Sequence, residues 1–118
     1  MLTNRECRKI NRNLRLDYHI SDSCERHSYI LHDTSVVTKR TDLKSGVSLY
    51  TLETGGWKTQ LTKRVMHEVI NNCMACNHVD ISMSDGDLWF HDPSGNTFWV
   101  GDSLTVNKYG YVNDYDYA

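Results

Sequence analysis

Between Val47 and Cys73 the apolar residues change their spacing at a pair of glycines, and that switch constrains the fold more than any other feature of the chain. Up to Glu53 the side chains alternate. Val47, Leu49 and Thr51 fall on one face and Ser48, Tyr50 and Leu52 on the other, which is the period of a strand. From Trp57 onward, Leu61, Val65, Met66, Val69, Ile70 and Cys73 cover about half the circumference of a helix. Gly55 and Gly56 stand between, where a sharp strand-to-helix corner needs backbone angles closed to other residues. The spacing predicts a helix from Trp57 to Cys76, with Thr54 or Thr59 as its cap and Trp57 plugging the core.

Upstream, Thr3 and Glu6 have the spacing of a capping box. They predict a helix from Asn4 to Leu16, on which Cys7, Ile10 and Leu14 lie within about 60° of one another. Arg5, Arg8, Lys9, Arg12 and Arg15 gather on the opposite side. Residues 17 to 27 lack an apolar period and read as a loop, and Ser28 to Arg40 as one strand that pairs with Val47 to Glu53. Downstream, Asp85-Gly86 is a two-residue hairpin signal, because a type I′ turn needs positive φ at both central positions. A second hairpin turns through Asp92 to Asn96, and short strands follow to Val112.

These elements predict an α+β fold, with an antiparallel sheet of five to seven short strands packed on one long central helix and an amphipathic basic N-terminal helix added. One domain over 1–118 suffices for this length: the basic helix at 1–16, the sheet-and-helix core at 28–112 and a flexible acidic tail at 113–118. No apolar run approaches the roughly 18 residues of a membrane span, and the first residues do not read as a secretion signal, so the expected location is the cytoplasm.

Four cysteines, Cys7, Cys24, Cys73 and Cys76, are expected as free thiols in that compartment. The pair Cys73-x-x-Cys76 with His78 has half the spacing of a zinc site, and half is insufficient, so neither metal nor cofactor is expected. The net charge of −2 conceals an asymmetry. Residues 1–64 carry 12 Lys/Arg against 7 Asp/Glu, and residues 65–118 carry one Lys against 8 acids. Such a chain can present one basic and one acidic face.

Leu31, His32, Thr34, Val36 and Val37, followed by Leu52, Thr54, Gly55, Gly56, Trp57, Thr59, Thr62, Lys63, Arg64 and Met66, carry a resemblance. They resemble a family of small uncharacterised tailed-bacteriophage proteins with a Leu-His-Gly-Thr strand and a Thr-Gly-Gly-Trp-x-Thr helix start. The chain departs from that pattern at Asp33, where glycine is usual, and at His67, where asparagine follows the methionine. The resemblance implies a phage origin, and hence the cytoplasm of an infected host cell.

No nucleophile elbow, phosphate loop or dinucleotide fingerprint is present, and His91-Asp92 and His32-Asp33 are neighbours whose side chains diverge on a strand. A non-enzymatic accessory protein that acts by binding is therefore expected, with a host protein as first partner in a host-takeover or anti-defence role. The alternative partner is nucleic acid, met by Arg5, Arg8, Lys9, Arg12 and Arg15. An enzyme ranks third. A further candidate is the segment of Gly55, Gly56, Trp57, Thr59, Thr62, Lys63 and Arg64, where backbone N–H groups and nearby cations could hold an anion.

Overall fold

The computed structural model describes residues 2–74 and 79–112. They form an α+β fold of two helices and two antiparallel sheets. The elements are α1 (Asn4–Ile10), β1 (Leu14–Ile20), β2 (Cys24–Leu31), β3 (Thr34–Asp42), β4 (Ser48–Glu53), α2 (Gln60–Cys73), β5 (Asp80–Ser84), β6 (Asp87–His91), β7 (Thr97–Trp99) and β8 (Ser103–Asn107). The larger sheet has the order β1-β2-β3-β4-β8, and β5-β6-β7 form the smaller one. Eight strands thus replace the five to seven expected in one sheet. The second sheet arises because the chain after Glu53 leaves the first sheet through α2 and rejoins it only at β8, which pairs with β4.

Helix α1 ends at Ile10, not Leu16. Asn11 is already extended (φ −158°, ψ 136°), and its side chain accepts from the N–H of Asn13, an alternative to helical hydrogen bonding. Beyond it Leu14 is buried and pairs with Leu31, starting β1. A seven-residue helix gains little by itself, and seven cross-strand pairs outweigh one more turn. The capping box of Thr3 and Glu6 is present, and Arg12 and Arg15 lie outside the helix.

The expected loop at 17–27 is the end of β1, a turn and the start of β2. Leu14, Leu16, Tyr18 and Ile20 alternate with Arg15, Asp17 and His19 along β1, a strand period that the helix expected through Leu16 had divided. The single strand expected over Ser28 to Arg40 is two strands, with Leu31 opposite Thr34 across a turn at His32 and Asp33. His32 takes positive φ (55°), and no glycine or asparagine signals it.

Helix α2 starts at Gln60, capped by Thr59, whose hydroxyl accepts from the N–H of Thr62. Val65, Met66, Val69 and Ile70 bury its inner face. They join Tyr29, Val37 and Leu52 of the larger sheet and Ile81, Leu88 and Phe90 of the smaller one in one core. Asp85 (φ 54°) and Gly86 (φ 77°) form the expected β5–β6 turn. The expected end of α2 at Cys76 and the expected acidic tail at 113–118 lie outside the described residues. Among the described residues no helix is long and apolar enough to cross a membrane.

Candidate functional site: a threonine-lined cup beside an arginine notch

The turn between β2 and β3 and the corner between β4 and α2 are far apart in sequence and adjacent in space. A Cβ added at Gly55 would lie 2.6 Å from Oγ1 and 2.7 Å from Cγ2 of Thr34. The corner backbone therefore passes directly over the first residue of β3. Gly55 (φ 60°) and Gly56 (φ 85°) both need the left-handed region, which is cheap only for glycine. Thr54 closes the corner: its carbonyl accepts from the N–H of Trp57 at 2.9 Å and its hydroxyl from the N–H of Gly56 at 3.2 Å.

Between the two segments lies a cup of about 410 Å³. Leu31 and Val36 contribute buried apolar surface, Leu61 is half-buried, and Trp57 stands at the wall. The tryptophan does not plug the core as expected; it is 66% exposed. The helix begins only after Thr59, so Trp57 falls on the corner, outside the helical stripe that faces inward. Four threonines, Thr34, Thr54, Thr59 and Thr62, line the same cup. Thr59 donates to Thr62 Oγ1 at 3.1 Å while accepting from the Thr62 N–H.

His32 also lines the cup, and on its other side it lines a notch of about 290 Å³ with Arg8, Arg12, Asn13 and Arg15. Arg15 Nη1 donates to the His32 carbonyl at 3.0 Å, and the His32 N–H donates to the Asn13 carbonyl at 3.3 Å. These bonds fix the turn against the segment that follows α1. Asp33 needs no glycine's freedom, since among the described residues only His32 and Asp85 are non-glycines at positive φ.

The five cations expected on one helical face are thus redistributed. Arg5, Arg8 and Lys9 are on α1, and only Arg8 joins Arg12 and Arg15 in the notch. All five are exposed, and none forms a salt bridge among the described residues. Like charges converging without acidic partners raise the local potential toward anions. Of the cations near the corner, Lys58 is committed to Asp87 at 2.8 Å, and that carboxylate raises its pKa. Arg64 Nη1 donates to the Ile10 carbonyl at 3.4 Å, which ties α2 to α1. Lys63 is half-buried, and its backbone N–H donates to the Thr59 carbonyl at 3.0 Å as part of the cap.

The zinc alternative cannot be assembled from described residues, since Cys76 and His78 lie outside them. Among the described residues no three His, Cys, Asp or Glu side chains group as metal ligands. Burial raises the pKa of the Cys73 thiol. Nor do His91 and Asp92 pair. Asp92 Oδ1 accepts from the N–H groups of Ser94 and Asn96, holding the β6–β7 turn. His91 instead bridges Ser82 Oγ (2.7 Å, Nε2) and Thr97 Oγ1 (3.0 Å, Nδ1). No carboxylate stands behind the imidazole in that chain, as it would in a triad.

His32, Thr34, Thr54 and Leu61 were not in the candidate segment, although the first three belong to the residues that carry the family resemblance. That resemblance was the one signal that could have found them, since eight of the ten residues lining the cup are among its positions. Compared with family models, curated proteins and solved structures, the chain matches none.

Proposed function

We propose that the chain is a phage accessory protein that works by binding in the infected host cell, and that its ligand at the cup and notch is a nucleic acid strand. The observation that carries this reading is the convergence of Arg8, Arg12 and Arg15 on one notch without a salt-bridge partner among the described residues. Guanidinium forks match phosphate oxygens and gain affinity by releasing counterions from the strand. The acidity of the whole chain does not oppose this locally, because its excess of acids lies beyond residue 64.

Fluorescence anisotropy with a labelled 12-nucleotide single strand, DNA or RNA, tests the reading (probe length chosen to span roughly one binding site). About three phosphate contacts give a log–log salt slope near −2, from roughly −0.7 per contact on single strands. Arg8→Glu with Arg12→Glu should abolish binding while leaving the melting temperature nearly unchanged, since both side chains are exposed. Absence of binding by the unaltered protein even at low salt sinks the reading.

Binding to a host protein is the second reading, and one feature favours it. On the outer face of the smaller sheet, Trp89 lies directly opposite Trp99, which is 56% exposed. Asp80 is on a strand of the same sheet, and Asp85 is in its first turn. An aromatic, acidic face suits a basic protein segment. Affinity capture from the natural host with the unaltered chain and with Trp99→Ala separates the two. A partner retained only by the unaltered chain, in nuclease-treated lysate, supports this second reading.

A further inference from the structure

We infer that the cup seats one base of the bound strand, against Trp57, while the notch holds the neighbouring phosphate. This rests on the nucleic-acid reading and goes beyond it, because a phosphate-tracking surface needs no base pocket. Thr54 and Thr62 are 2% and 3% exposed, and both line the cup. Thr54 Oγ1 accepts from the Gly56 N–H, and Thr62 Oγ1 accepts from the Thr59 hydroxyl. Among the described residues neither hydroxyl donates a bond of its own. A buried donor without an acceptor is costly, and both threonines line the cup.

The remaining surface restricts what could accept those bonds. Leu31 and Val36 are almost fully buried and give the cup its apolar surface, and besides the hydroxyl groups its polar lining is exposed His32 and Asp33. Its volume of about 410 Å³ falls in the range of small-ligand sites, roughly 300–1,000 Å³. The complementary ligand is flat and apolar on its faces, with acceptors at its edge for the threonine hydroxyls and an N–H donor for Asp33. A nucleobase has that form: ring carbonyl oxygens and ring nitrogens at the rim, and a π face to lie on an indole.

His32 joins the two halves. It lines both cavities, so a group in the notch and a group in the cup are neighbours at one residue. Its backbone sits at φ 55°, in the left-handed region that is strained for a non-glycine residue. Glycine would relieve that strain. Keeping an imidazole between an arginine notch and a base-sized cup is consistent with a side chain that touches the ligand between phosphate and base.

The test compares two labelled strands of equal length and equal phosphate number, oligothymidine and an abasic strand, in one buffer. The unaltered protein is expected to bind the thymidine strand about tenfold more tightly, the order of effect of one stacked base. Trp57→Ala should reduce thymidine-strand affinity to the abasic level and leave abasic binding unchanged, and Trp57→Phe should keep most of the difference. Leu61→Ala offers a second change in the cup wall with the same expected pattern. Equal binding of both strands by the unaltered protein overturns the inference and leaves the nucleic-acid reading standing. Equal loss on both strands in Trp57→Ala also overturns it, and binding of neither strand sinks both.

Discussion

Gly55 and Thr34 are in such close approach that a single methyl group on the glycine would lie 2.6 Å from the threonine hydroxyl oxygen. This contact joins the β4–α2 corner to the β2–β3 turn, and with it the two halves of the cup. Gly55→Val is expected to destabilise the fold by about 3 kcal/mol or more, combining positive-φ strain with overpacking. Gly56 has open space around it, so Gly56→Val should cost only the strain, about 1–2 kcal/mol. Gly46, also at positive φ (74°) in open space, should behave like Gly56. Urea titrations of these variants measure the ranking. A double-mutant cycle of Gly55→Ala with Thr34→Ala should recover roughly 1 kcal/mol, because removing the threonine branch removes the clash.

His27 should make the fold sensitive to mild acid. It is 2% exposed, its ring is tilted against Tyr18 at 4.8 Å, and desolvation lowers its pKa despite the opposing effect of Glu25. A histidine whose folded pKa lies below its unfolded value of 6.5 binds a proton more readily when unfolded. Its stabilising contribution is fully present above that value and is lost as pH falls through the depressed folded value. Thermal melts between pH 7.5 and 5 should show a falling Tm, and His27→Gln should flatten that fall. Parallel profiles for the two proteins would assign the acid sensitivity to other groups.

The thiol of Cys7 should be nearly inert in the folded protein. It is fully buried, and burial raises its pKa to about 11. The thiolate is the reactive form. Alkylation at pH 8 followed by peptide mass spectrometry is expected to leave Cys7 unmodified in buffer and modified in guanidinium. Rapid native labelling would show that α1 detaches, since Cys7 is the residue that α1 buries.

Parts of this fold were legible wherever one face is dry and the other wet. The stripe of Val65, Met66, Val69 and Ile70 fixes α2, and Asp85-Gly86 fixes the β5–β6 turn. The errors have separate causes. In β1, Leu14, Leu16, Tyr18 and Ile20 alternate with Arg15, Asp17 and His19, but the helix expected through Leu16 cut that strand period in two. The turn at His32 carries no glycine, and its positive φ is enforced by hydrogen bonds from Arg15 and to Asn13, contacts that sequence spacing cannot reveal. The cup was only half legible for the same reason. Gly55, Trp57, Thr59 and Thr62 are local to the corner, whereas His32 and Thr34 arrive through sheet register.

The most direct test of the central claim is a backbone amide NMR titration of the isotope-labelled protein with a short thymidine strand. Shifts are expected at three separate stretches, around Arg8 to Arg15, Leu31 to Thr34 and Thr54 to Thr62, saturating together with one dissociation constant. Shifts confined to the first stretch would contradict the joined cup and notch. Shifts centred on Trp89 and Trp99 instead, or none at all at low salt, would contradict the site itself.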